Sequence, residues 1–152
     1  YDPRTNVTTT TEHFNYNSII ASYFNTKGQH QWTMSDPKYH SNTNDFGYFS
    51  SFCTLNSGED FFLIFNDNVK NNAGDYYTDK DYTNLFNNRK FQVSYVHVTK
   101  DGVQDRGAVL KGDNDYILRA KMSGQVNSNS IYLITETNRS SRIIQLKVKE
   151  SQ

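Results

Sequence analysis

The sequence predicts an all-β fold built of antiparallel hairpins, and three observations predict it. Apolar runs such as "FFLIF" and "SIIASYF" are short, and strand signals outweigh helical ones along the chain. Glycine-bearing turns, "NTKG" and "TKDG", follow such runs, and glycine supplies the positive φ that tight hairpins need. Near the end, "RIIQLKVK" alternates Ile144, Leu146 and Val148 with Ile143, Gln145, Lys147 and Lys149, the period of two that buries one face of a strand.

The elements follow in order. "SIIASYF" (18–24) turns through "NTKG" into "QHQWTM". "YFSSFCTL" leads through "NSGED" to "FFLIFN", and "FQVSYVHV" (91–98) turns through "TKDG" into "VQDRGAVL". "YILRAKM" leads through "SGQVNSNS" to "IYLITE", and "TNRSS" precedes the last strand. Two polar excursions interrupt the pattern. One is "SDPKYHSNTND" (35–45). The other covers 66–90, where "TDKDYTNLF" reads as a helical turn capped by Thr78 or Asp79. The second is long for a connection inside a domain, and long loops are commonly functional or mobile.

The pieces repeat. "TKG" at 26–28 matches "KDG" at 100–102, and "FFLIFND" matches "IYLITET". The repeat joins 18–66 with 91–136 at a period of about seventy residues, the mark of stacked or radial β units. Four strands per unit fit a propeller blade. Strands 48–54, 61–66, 91–98 and 103–110 make one blade. Strands 116–122, 131–136 and 142–149 give three strands of the next, and the hairpin at 18–34 is the outer half of a preceding one. About two blades do not close a ring. The chain therefore reads as a single β-rich domain over 1–152, or a fragment of a larger propeller, with an open β-sandwich as the alternative. It begins at Tyr1 rather than Met, which reads as mature protein or a fragment.

Composition bounds function. The 152 residues are 35% hydrophobic and 14% aromatic, enough for one domain with a real core. Charged residues reach only 21% and the formal net charge is zero, which disfavours disorder and gives no basic face for nucleic acid. No apolar run is long enough to span a bilayer. The single cysteine, Cys53, lies in an alternating strand without a basic neighbour, so it reads as a small buried hydrophobe.

The candidate site residues are Trp32, Tyr39, His40, Asn66, Asp67, Asn68, Tyr76 and Tyr77. Trp32 at a strand end, beside Tyr39 and His40, either offers a platform for a sugar or peptide or fills the core between sheets. "FNDNVKNN" either leaves its strand through Asn and Asp turns, or binds a partner, a sugar or a metal. Asp67 and Asn68, with Asp75, Asp79 and Asp81, are hard oxygen donors suited to calcium, yet the spacing is not that of an EF-hand. No metal site or cofactor is therefore assigned, with calcium the one weak alternative.

Catalytic residues are not assigned. His13, His30, His40 and His97 lack HxH or HExxH spacing, and His97 reads as structural, on the strand face of Val93 and Tyr95. Glu136 ends a strand and reads as solvated rather than catalytic, and no G-x-S-x-G, P-loop or G-x-G-x-x-G occurs.

The order "YDPRTN…TTTTEHFNYNSIIASYFNTKGQHQW", "SNTNDFGYFSSF", "FFLIFNDNVKNN", "VSYVHVTKDG" and "ILRAKMSGQVNSNSIYLITE" resembles the C-terminal region of uncharacterised exported β-propeller-like proteins of Bacteroidota. Its most specific motif is Phe65-Asn66-Asp67-Asn68 with Asn71; Ala120 and Tyr39-His40 depart from that pattern. The resemblance implies an exported protein, outer membrane-associated or extracellular, and it implies no activity. The expectation is a non-enzymatic interaction or scaffold module that meets a partner protein through strand edges and polar loops. A carbohydrate-binding module with a polysaccharide ligand is the alternative, and a hydrolase comes third.

Overall fold

The structure is a computed structural model that describes residues 8–72, 82–85, 90–110, 116–137 and 139–149. It is all-β, with every strand pairing antiparallel. Strands β1 (His13–Phe24) and β2 (His30–Thr43) form a long two-stranded hairpin. β3 (Phe52–Ser57), β4 (Asp60–Asn68), β5 (Phe91–Val98) and β6 (Gln104–Leu110) follow one another as a four-stranded central sheet. β7 (Ile117–Leu118), β8 (Gly124–Asn127), β9 (Ser130–Glu136) and β10 (Ser141–Lys147) form the third sheet, with β10 on one side of β9 and both β7 and β8 on the other.

Two apolar clusters make these sheets into layers. Because strand side chains alternate between faces, β4 serves both. Leu63 and Phe65 meet Ile19 and Met34 of the hairpin, together with Val96 and Val98 of β5. Ile64, with Cys53, Leu55 and Val93, meets Leu118, Ala120, Ile131 and Leu133 of the third sheet. The central sheet is thus buried on both faces and the outer two on one. Cys53 sits at the second boundary, as expected for a small hydrophobe, where it donates to the Ile64 carbonyl at 3.7 Å and burial pushes its thiol up to about 12.

The Gly28 and Gly102 turns have the same build. Gly28 N–H donates to Asn25 O and Gly102 N–H to Thr99 O, both at 2.9 Å, with φ of 75° and 80°. Trp32, four residues past Gly28, lies against the Gly102 turn. Trp32 Nε1 donates to Lys100 O at 2.8 Å, and a Cβ on Gly102 would come within 2.9 Å of the indole.

Several expected boundaries are corrected. The excursion at 35–45 is largely strand: β2 runs through it to Thr43, with polar residues on its buried face. The strand expected over 116–122 breaks into β7, a 3-10 turn at Ala120–Met122 and then β8. Here Ser123 Oγ takes the Ile134 N–H at 2.9 Å, replacing a backbone partner. "GQVN", expected in a connection, is β8. The helical turn expected around 78–86 lies outside the described residues, apart from 82–85, where no helix forms.

Candidate functional site

On β2 the buried face is polar. Asp36, Lys38, His40 and Asn42 all point inward, two residues apart, and all are buried. They meet the polar end of the same central-sheet face that carries Leu63 and Phe65. Asp67 of β4 and Arg106 of β6 share that face, since register pairs Leu63 with Val96 and Val96 with Arg106.

Arg106 is the hub. Its Nη1 donates to Asp36 Oδ1 and Oδ2 at 2.8 and 3.0 Å and to the Tyr82 hydroxyl at 3.1 Å. Its Nη2 donates to Asp67 Oδ2 at 2.6 Å. The guanidinium also lies over the Phe65 and Tyr82 rings, each 5.2 Å from its carbon. The remaining Asp67 bonds come from Ser94 Oγ, Asn71 Nδ2 and the Asn68 amide. All four carboxylate oxygens are therefore acceptors of internal bonds. Burial pushes the Asp36 carboxyl up to about 6, against the pull of Arg106, and pushes Asp67 up as well, against Arg106 and its other donors.

Beside this hub, Lys38 Nζ donates to His40 Nδ1 at 3.3 Å and to the Ser50 carbonyl, and His40 Nε2 donates to Asn66 O at 2.8 Å. Both His40 nitrogens are used in the neutral ring: Nε2 carries the proton and Nδ1 accepts. Burial first, and Lys38 second, hold His40 down to about 3. Burial lowers Lys38 to about 8, with Asp36 opposing.

The "FNDN" residues answer to one principle. A primary amide carries a donor and an acceptor, so it can pair with a backbone residue as a neighbouring strand would. Asn66 Oδ1 accepts from Leu118 N–H at 2.7 Å while its Nδ2 donates to Leu118 O at 2.8 Å and to Phe49 O at 3.0 Å. Asn71 does the same to Thr83, at 2.8 and 2.9 Å. Asn68 donates to Asn84 O at 3.1 Å and accepts from Lys70 N–H at 3.1 Å. Gln125 of the third sheet reciprocates on Asn56 of the central sheet, at 2.9 and 2.8 Å. These amides tie loops and the third sheet to the central sheet.

Of the two readings of Trp32, its surroundings fit the filling of the layer between sheets. Trp32 and His40 stand eight residues apart along β2, roughly 26 Å at the usual strand rise. Trp32 is half-buried and stacked, with Tyr23 at 5.7 Å and Phe61 at 6.3 Å, filling the layer between hairpin and central sheet. Tyr39 is half-buried on the opposite face of β2 from His40, with φ 42°, and its carbonyl takes Leu85 N–H. His40, Asn66, Asp67 and Asn68 are fully buried. Tyr76 and Tyr77, like the donors Asp75, Asp79 and Asp81, lie outside the described residues. Among the described residues no group of three His, Cys, Asp or Glu side chains is placed to hold a metal ion, and a cation already occupies the Asp67 carboxylate. His97 lies on the Val93 and Tyr95 face, stacked on Phe62 at 4.5 Å and bonded to Asp60 at 3.0 Å. Glu136, expected in solvent, is instead half-buried and paired with Arg119.

Arg106, Asp36 and Gln125 were not among the candidates, and Asn71 was named only alongside the "FNDN" motif. The one signal for part of this cluster is the alternation Asp36, Lys38, His40, Asn42, which reads as loop by composition and as strand by period.

No protein-family model, curated protein or solved structure matches this chain. Among the described residues no helix is long and apolar enough to cross a membrane.

Proposed function

We propose that the chain is a non-enzymatic interaction module of an exported, envelope-associated or secreted protein, and that it docks a partner protein through the outer faces and open edges of its sheets. The observation that carries this reading is a pair of uncovered outer faces. Ile20 and Phe24 of the hairpin are 71% and 55% exposed, and Ile143 and Tyr132 of the third sheet 70% and 43%. Apolar side chains grouped on sheet faces, beside strand edges that pair with no further strand among the described residues, favour a protein partner. Among the described candidates, His40, Asn66, Asp67 and Asn68 are buried and bonded internally. The envelope setting rests on the resemblance to exported Bacteroidota proteins.

Blade-like layering is the finer fold reading we favour over an open sandwich. The central sheet has four strands in meander order, and its hairpins recur in the neighbouring layers: the Gly28 turn matches the Gly102 turn, and β8–β9 follows β3–β4 at the period of the repeat.

The test is gentle affinity purification of the native protein from its source envelope, with partners identified by mass spectrometry. A stoichiometric partner that is lost on Ile143→Lys is expected. A partner-free protein that binds a member of a glycan panel would overturn this reading in favour of the carbohydrate-binding module.

A further inference from the structure

The two outer faces are related by the internal repeat, and that relation names what covers them. Matching "FFLIF" to "IYLIT" places Tyr132 and Ile134 where the central sheet has Phe62 and Ile64. Phe62 and Ile64 pack against the third sheet, with Ile64 buried there. Tyr132 and Ile134 project outward, and Ile134 pairs with the exposed Ile143. The third sheet therefore presents outward the same face that the central sheet presents to its neighbour.

The other end of the stack shows the converse. Matching the Gly28 turn to the Gly102 turn places Ile20, Ser22 and Phe24 where the central sheet has Ser94, Val96 and Val98. Val96 and Val98 are buried under the hairpin, whereas Ile20 and Phe24 are exposed. Between Ile20 and Phe24 the hairpin's outer face is small and hydroxylated, with Ile20 paired to Ser35 and Ser22 to Thr33, and at its end Phe24 pairs with His30, whose ring meets it edge-on at 5.4 Å. The small middle of that face leaves room for the bulk of Tyr132 and Ile143.

We infer that the outer face of the third sheet docks the outer face of the β1–β2 hairpin of a second copy of this chain, head to tail. This continues a contact already made twice inside one molecule, hairpin on central sheet and central sheet on third sheet. It rests on the interaction-module reading and supplies the surface and the occupant. Such a contact is heterologous: each copy keeps one free face of each kind, so association proceeds to a ring or a filament according to the rotation per step.

The experiment is sedimentation and light scattering of the purified chain over a concentration series. Wild type, Ile20→Lys, Ile143→Lys and an equimolar mixture of the two variants are compared, with circular dichroism to confirm that each variant is folded. Both positions are exposed, so the fold is expected to survive. Wild type should rise beyond the dimer mass with concentration, and each variant alone should associate at least about tenfold more weakly. The mixture should form a dimer and stop there, because one variant keeps only a working hairpin face and the other only a working third-sheet face. A wild type that stays monomeric throughout would overturn the inference. So would an Ile20→Lys variant that dimerises alone, which would mean that like faces pair. In either case a native partner recovered from the envelope would leave the interaction-module reading standing.

Discussion

The two layer boundaries hold by different means. Between hairpin and central sheet, one end of the contact is apolar, around Ile19, Met34 and Trp32, and the other is ionic, around Arg106, Asp36 and Asp67. Between central and third sheets the core is aliphatic, and the polar contacts include amides that imitate strand pairing, Asn66 on Leu118 and Gln125 on Asn56. A buried ion cluster contributes little net stability because desolvation offsets attraction, but removing one member leaves a charge stranded. An aliphatic boundary contributes in proportion to the area it buries. The first boundary should thus be intolerant of single changes and indifferent to concerted ones; the second should respond in proportion to volume lost.

The largest expected effect tests the ionic boundary. Arg106→Met strands Asp36 and Asp67 and should cost about 3–5 kcal/mol in urea unfolding. Replacing Asp36 by Leu, Asp67 by Asn and Arg106 by Met together removes the charges while keeping an acceptor for the Ser94, Asn71 and Asn68 donors, and should cost less than Arg106→Met alone. A triple variant as unstable as the single one would break the distinction. Next comes the aliphatic boundary, where Leu133→Ala opens a cavity between fully buried neighbours at a cost of about 3 kcal/mol. Asn66→Ala should cost about 2 kcal/mol, since it leaves the Leu118 amide and two carbonyls without their partner. Hydrogen exchange at the Leu118 amide should quicken in that variant more than exchange within β5.

The smallest effect is in pH. His40 is held down to about 3 from an ordinary 6.5, so it contributes stability above pH 6.5 that is lost as pH falls toward its folded value. Asp36, raised from 3.8 to about 6, has the opposite sign: its contribution is full below 3.8 and is lost as pH rises to about 6. The two oppose each other over the shared window. The unfolding free energy of wild type relative to His40→Gln should fall by about 1–2 kcal/mol from pH 6.5 to about pH 5. A pH-independent difference would show that His40 is not held neutral by its burial.

Most hairpins of the central sheet were legible in the sequence because each depends on short-range rules, although its first strand, expected over 48–54, is Phe52–Ser57. Alternation within "FQVSYVHV" and glycine in "TKDG" act within a few residues, so β5, β6 and their turn fall where expected. Extension of β2 through Asp36, Lys38, His40 and Asn42 was not legible. Four polar side chains in a row of inward positions look like a loop until Arg106, seventy residues away, supplies the counter-charge. The break at Ala120–Met122 was hidden for the same reason, since it is accompanied by an Ile134 N–H that donates to Ser123 Oγ across the sheet. For "FNDN", a turn at the strand end followed from its chemistry, as in the Lys70 N–H bond to Asn68 Oδ1. The targets of its asparagines, Leu118 among them, are fixed only by tertiary contact.

Cys53 turns one of these boundaries into its own gauge. Its thiol stays protonated at neutral pH, buried between the central and third sheets, and the chain has no other cysteine to confuse the signal. A thiol reagent can react only while those sheets part, so its rate of modification under native conditions times the parting of the sheets. The chain therefore carries a chemical clock for one boundary, against which every substitution at the other can be read.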